Sequence, residues 1–218
     1  MFEAVIFDWD GTLADTRRVI AISFQKALSE INIGVPNEYI EKRIGIGAAE
    51  TFREILRSAK VEFDERIIAR LVERKSAFEI ELTGQVNLFE GARGLLEVLQ
   101  GKVKIGLASM NNRSVIVHML KTNNIQNCFD VVLTAESISR SKPDPEIFLK
   151  TASELKTSPQ RCVVLEDSLF GAKAAKAANM SSIAVTTGVY SKEELEQEKP
   201  DLIVKNLKNR QIISFILH

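Results

Sequence analysis

The stretch Glu3-Ala4-Val5-Ile6-Phe7-Asp8-Trp9-Asp10-Gly11-Thr12-Leu13 decides how this chain of 218 residues is read. Glu3–Phe7 is a short apolar run with β-branched residues, which predicts a strand. Its apolar character on both faces fits a parallel sheet covered on each side by helices. Asp8 and Asp10 then interrupt the run. Two carboxylates this close repel each other unless a cation sits between them or one is protonated. Gly11 lets the chain turn sharply behind them. Trp9, between the two, points to the opposite side by strand alternation and is expected to pack.

Working outward, five similar runs follow: Val103–Ala108, Val131–Thr134, Cys162–Leu165, Ser182–Val185 and Leu202–Val204. Helical patterns separate most of them. They include Ser114–Lys121, a helix capped by Asp144 with Pro145 at its first position, and the Ala-rich Gly171–Ala178. Alternating strands and helices predict an α/β fold, a doubly wound parallel sheet. Residues 16–88 break the alternation. Ile20, Phe24, Ala27, Leu28 and Ile31 share one helical face, and so do Ile68, Leu71, Phe78 and Leu82 after an Asp64 cap. With no clear strand in it, this segment is too long for an ordinary crossover. It is expected to be a small α-helical domain (16–88) inserted into a core of residues 1–15 and 89–218, with hinges at Asp15-Thr16 and Phe89-Glu90-Gly91.

Composition narrows the function. Lys plus Arg is 29 and Asp plus Glu is 29, so the formal charge is zero and a general nucleic-acid binder is not expected. Hydrophobic residues make 45% and charged residues 27%, values of a folded domain and not of a disordered chain. No apolar run is long enough to span a bilayer, and Glu3, Asp8 and Asp10 replace the basic start of a secretory signal. The two cysteines, Cys128 and Cys162, form neither a disulfide framework nor a zinc pattern. The expected location is therefore cytoplasmic, with no membrane partner and no nucleic acid.

Four pieces fall at or just past strand C-termini, where open α/β sheets bind ligands. They are Asp8–Leu13, Ala108–Asn111, Lys142–Pro145 and Glu166–Ser168. Carboxylates gathered at one edge call for positive charge. Mg²⁺ suits them, since it takes oxygen ligands and bridges to substrate phosphate. Lys142 adds a fixed charge, and Ser109 a hydroxyl followed by free backbone N–H groups that favour an anion. Singly, Asp167 also reads as a helix cap, Ser109 as a turn residue and Lys142 as a solvated lysine.

Together these residues resemble the haloacid dehalogenase superfamily over essentially the whole chain, with the D-x-D-G-T-L run its most specific motif. The E-D-S-x-x-G reading of Glu166, Asp167, Ser168 and Gly171 is similar to the β-phosphoglucomutase and sugar-phosphatase branch, and the phosphoglycolate phosphatases lie nearby. The resemblance implies a Rossmann-like core with a helical type-1 cap. It further implies a Mg²⁺-dependent phosphoric monoester hydrolase acting on a small phosphorylated metabolite of the sugar-phosphate or phosphoglycolate type, with pyrophosphate also open. In that scheme Asp8 is the nucleophile and Asp10 the general acid and base. Mg²⁺ is held by Asp8, Asp167, the Asp10 backbone carbonyl, and Glu166 as ligand or neighbouring partner. Lys142, Ser109 and the amides of Met110 and Asn111 bind the phosphoryl group.

Alternatives remain open at this level. The related mutases carry a lid histidine soon after the first motif and an arginine after a lid glycine. Here Arg17-Arg18-Val19-Ile20 and Ala48-Ala49 stand instead, which weighs against a hexose-phosphate mutase. A phosphoacceptor receiver module would lack the helical insertion, and dehalogenating relatives need neither a second Asp nor a metal. Gly45-Ile46-Gly47 reads equally as a substrate-facing turn or a plain helix connection. Arg17, Arg18, Lys42 and Arg43 are candidate specificity residues within a slightly basic segment that also holds Lys26, Arg53, Arg57 and Lys60. Oligomeric state is open.

Overall fold

The computed structural model describes residues 1–218. Its strands are β1 (Ala4–Phe7), β2 (Ala14–Asp15), β3 (Asn87–Leu88), β4 (Lys104–Ala108), β5 (Val131–Leu133), β6 (Cys162–Glu166), β7 (Ser181–Val185) and β8 (Leu202–Val204). Its helices are α1 (Arg17–Ser29), α2 (Asn37–Glu41), α3 (Ala48–Ser58), α4 (Glu65–Leu82), α5 (Ala92–Leu99), α6 (Arg113–Thr122), α7 (Glu146–Glu154), α8 (Leu169–Ala177), α9 (Lys192–Glu196) and α10 (Arg210–Leu217). Six strands form one parallel sheet in the order β5-β4-β1-β6-β7-β8. Strand β1 lies at its centre, between β4 and β6. The fold is α/β and doubly wound.

Side-chain alternation along β1 builds both faces of the core. Val5 and Phe7 join a cluster with Leu95 and Leu99 of α5, Ile116 and Met119 of α6, and Ile212 and Ile216 of α10. Ala4 and Ile6 join the opposite cluster with Ile147 and Phe148 of α7 and Ala174 and Ala175 of α8. The parity continues past the strand: Trp9 is fully buried in the first cluster and its indole N–H donates to Met119 Sδ at 3.1 Å. Phe7, equally buried, sits where truncation to Ala typically costs about 3–5 kcal/mol. Helices α1–α4 enclose a third cluster built on Phe24, Leu28, Phe52, Leu56, Ile68 and Leu71. No helix is long and apolar enough to cross a membrane.

Several expectations need correction. The small ribbon of β2 and β3, antiparallel with Asp15 opposite Asn87, lies in the region read as hinge and strand-free helix. Two-residue strands carry no periodicity to detect. The helix after Asp144 begins at Glu146, with Pro145 as its cap residue and the Asp144 carboxylate accepting the Glu146 N–H at 3.0 Å. Ile31 lies beyond the end of α1 and is 37% exposed, because the helix stops at Ser29 before the apolar face returns. Asp64 caps α4 as expected, accepting from the Arg66 and Ile67 N–H groups, worth about 1 kcal/mol.

Candidate active site

The chain leaving β1 folds back at once. The Leu13 and Ala14 N–H groups both donate to the Trp9 carbonyl, and Gly11 N–H donates to that of Ala14. Gly11 has φ +93, and a Cβ there would collide with the Asp167 carboxylate. Glycine thus serves both the turn and the approach of β1 to β6. The Thr12 hydroxyl donates to Asp167 Oδ1 at 2.8 Å, tying the two acidic pieces together.

Lys142, read as either a site residue or a solvated lysine, is only 1% exposed. Its ammonium lies 2.7 Å from Asp8 Oδ1, 2.6 Å from Glu166 Oε1 and 3.2 Å from the Ala108 carbonyl, and 4.8 Å from the Phe148 ring centre. Burial alone would push this ammonium down; Asp8 and Glu166 more than offset that, so its pKa ends above the usual lysine value. Glu166 spends its other oxygen on the Asp167 and Ser168 N–H groups and the Ser168 hydroxyl. Ser168, not Asp167, is the N-cap of α8, accepting from Gly171 N–H at 3.0 Å. Asp167 is therefore free of the capping role that its sequence position also allowed.

Ligand oxygens of Asp8, Glu166 and Asp167 all lie within 4.8 Å of one another, and all three residues are buried. Like charges at that separation repel by at least about 3 kcal/mol per pair even at an effective dielectric near 20. One ammonium against three carboxylates leaves negative charge uncompensated. Burial, followed by the acidic neighbours, holds Asp8 and Asp167 well above the ordinary carboxylate range, with Lys142 pulling both back. Burial therefore disfavours an ionised Asp8, and a further cation beside it would favour the ionised form. The hard, all-oxygen donor set fits Mg²⁺. The Asp10 side chain is not in this group; it hydrogen-bonds instead with Ser109 and Asn111.

Asp10 is likewise buried, and its carboxylate accepts from the Ser109 hydroxyl at 3.2 Å and from Asn111 Nδ2 at 3.5 Å. Burial first, then the Glu79 carboxylate, pushes Asp10 up to about 6, against the pull of Lys75. Neither Lys75 nor Glu79 was among the sequence candidates. They are 3% and 0% exposed, form an ion pair one turn apart on α4, and both reach Asn111. Lys75 donates to Asn111 Oδ1 at 3.1 Å, and Asn111 Nδ2 donates to Glu79 Oε1 at 2.7 Å. A signal was present: Ile68, Leu71, Lys75 and Glu79 lie on one helical face, so two charges continue an apolar stripe.

Ser109, Met110 and Asn111 all come to this edge, but not all as foreseen. The Asn111 N–H is not free; it donates to Ser109 Oγ at 3.0 Å. The start of α6 is also taken, since the Glu136 carboxylate accepts the Arg113 N–H at 3.0 Å. Several basic residues of the helical segment are paired at its surface, Lys42 with Glu38, Arg53 with Glu50 and Glu65, and Arg57 with Glu50. Arg43 lines the cleft beside Asp10, and Arg17 a smaller one beside Asp167; Arg18 is exposed. Gly45-Ile46-Gly47 is the turn that faces the site. Gly47, at φ +92, packs so close that an added Cβ would lie 3.0 Å from Met110 Cε.

Comparison with known proteins agrees with this geometry. A family profile described as haloacid dehalogenase-like hydrolase matches residues 5–185. A phosphorylated carbohydrates phosphatase of Thermotoga maritima is 28% identical over 83% of this chain and 83% of its own length. A β-phosphoglucomutase of Bacillus subtilis is 30% identical over 85% of this chain and 84% of its own. A β-phosphoglucomutase crystal structure from Clostridium difficile superimposes with a TM-score of 0.88 at 29% identity, covering 100% of this chain and 97% of that one. With the profile spanning most of the chain and the acidic loop, lysine and second acidic pair assembled at one sheet edge, this protein belongs to the haloacid dehalogenase-like hydrolases.

Proposed function

We propose that the chain is a Mg²⁺-dependent phosphatase for small phosphate monoesters of the sugar-phosphate type, working through an aspartyl-phosphate on Asp8. The observation that carries this reading is the Asp8 carboxylate held 2.7 Å from a buried Lys142 that Glu166 shares. The family and the phosphatase relative support the same class. Asp8 attacks phosphorus and the ester oxygen departs. Asp10, raised to about 6, holds a proton in a minor fraction of molecules at neutral pH, far more than an ordinary carboxyl would, and delivers it to the leaving alkoxide. It then takes a proton from the water that attacks the aspartyl-phosphate. Lys142 and the Ser109 hydroxyl stabilise charge on the phosphoryl oxygens. Asp8 and Asp167, with Glu166 beside them, would hold Mg²⁺, which supplies further positive charge to that group. Residues 16–88 act as a cap over the edge and exclude water from the first step.

A mutase reading draws on the β-phosphoglucomutase relative, but the mutase-type lid histidine and arginine are absent at the matching positions. The test is phosphate release from sugar phosphates and p-nitrophenyl phosphate, with Mg²⁺ and with EDTA. Metal-dependent release is expected. β-Glucose 1-phosphate with a trace of the bisphosphate separates the two: glucose 6-phosphate forming faster than free phosphate establishes the mutase.

A further inference from the structure

The cleft beside Asp10 is where a leaving group would sit if Asp10 protonates it. Much of its wall is apolar, with Ile20, Phe24, Ile40, Ala48 and Met110 among its lining. Two cations reach it, Arg43 and Lys75, and neither is available. Arg43 is bound to Glu54 and stacks 3.5 Å from the Tyr39 ring centre. Lys75 is bound to Glu79 and to Asn111, and both members of the pair are buried. An anionic leaving group would enter a largely apolar space beside the Asp10 carboxylate, where both cations already have carboxylate partners, Glu54 and Glu79. Burial of an unpaired charge is among the costliest substitutions of environment a ligand can undergo.

We infer that Glu79 is a specificity-determining residue: by neutralising Lys75 it fits the site for phosphate monoesters with a small, uncharged, partly apolar leaving group, against those bearing a carboxylate or a second phosphate. This rests on the phosphatase reading above. Glu79 acts through Lys75 and needs no contact with the substrate. Without it, the Lys75 ammonium would be the counter-ion that a carboxylate or phosphate requires.

Two ester pairs matched in size test it: 2-hydroxyethyl phosphate against phosphoglycolate, and glycerol 3-phosphate against 3-phosphoglycerate. In the wild type with Mg²⁺, kcat/KM is expected to be at least about tenfold higher for the neutral member of each pair. In Glu79→Gln the ratio should move at least about tenfold toward the anionic esters, a change that general damage to the fold would not produce. The double variant Lys75→Met/Glu79→Leu removes both charges and orphans neither; it should keep the neutral preference, which preserves the test if Glu79→Gln does not fold. A wild type that prefers phosphoglycolate, an unchanged ratio in folded Glu79→Gln, or an anionic gain in the double variant overturns the inference alone. No hydrolysis of any of the four esters also overturns the inference, and a further lack of release from sugar phosphates and p-nitrophenyl phosphate overturns the phosphatase reading with it.

Discussion

Lys142 and Lys75 are 1% and 3% exposed, yet they belong to opposite designs. Lys142 is contributed by a loop and meets carboxylates at the ends of two different strands, Asp8 just past β1 and Glu166 closing β6. It joins segments far apart in sequence, and its charge faces the atom expected to react. Lys75 is closed on its own helix through Glu79 and reaches across to Asn111 in the loop after β4. The core lysine concentrates charge at one point; the α4 lysine cancels it. The same residue type, equally buried, thus serves reactivity in one place and exclusion in the other. Burial by itself does not tell them apart, whereas the origin of the partner does.

The comparison can be broken most directly at Asp8. Asp8→Asn should lower kcat by about 10⁴-fold or more, read by steady-state phosphate release, with the circular dichroism spectrum unchanged. Lys142→Met comes next, with kcat falling by about 10²–10³-fold, because Asp8 and Glu166 lose their shared ammonium. Lys75→Met should differ in kind. Its kcat on 2-hydroxyethyl phosphate should fall by less than about tenfold, while urea unfolding shows a loss of about 3–5 kcal/mol from the orphaned Glu79. A Lys75→Met defect in kcat as deep as that of Lys142→Met would erase the distinction between the two lysines.

The smallest effect is on thermal stability. Asp10, at about 6, holds its proton more firmly in the folded chain than in the unfolded one, where 3.8 applies. Its contribution is complete below pH 3.8 and is lost as pH rises through about 6. Asp8 and Asp167 are shifted in the same direction. In EDTA, Tm should therefore rise by about 2–5 °C between pH 7.5 and 5.5, and saturating Mg²⁺ should give a similar gain at pH 7.5 and a smaller one at pH 5.5. Calorimetry showing the reverse order would show that the acidic edge does not control stability in this range.

The asymmetry between the two lysines also explains what the sequence disclosed. Strand β1 with Asp8 and Asp10, the run ending in Glu166-Asp167, and Ser109 after β4 were legible because each is a local pattern placed at a strand end. Lys142 followed from its order along the chain. Lys75 and Glu79 were not, since an i,i+4 pair of opposite charge normally marks a solvated face. Only the packing of α4 against α6 and Asn111 shows that this face turns inward. Arg53 and Arg57, counted as part of a basic lid, proved to be ordinary surface partners of nearby glutamates. The Asn111 N–H was lost to the Ser109 hydroxyl, a choice of rotamer that no spacing encodes.

The ribbon in which Asp15 faces Asn87 brings the chain back to the point from which it departed. The seven tens of residues between those positions are, topologically, a side loop hung on a single clasp. Joining the clasp ends with a short connector would leave the order of all six parallel strands untouched. Swapping the loop for one of different sequence would likewise refit the mouth of the enzyme, provided the substitute keeps a pair in place of Lys75 and Glu79 beside Asp10 and Asn111.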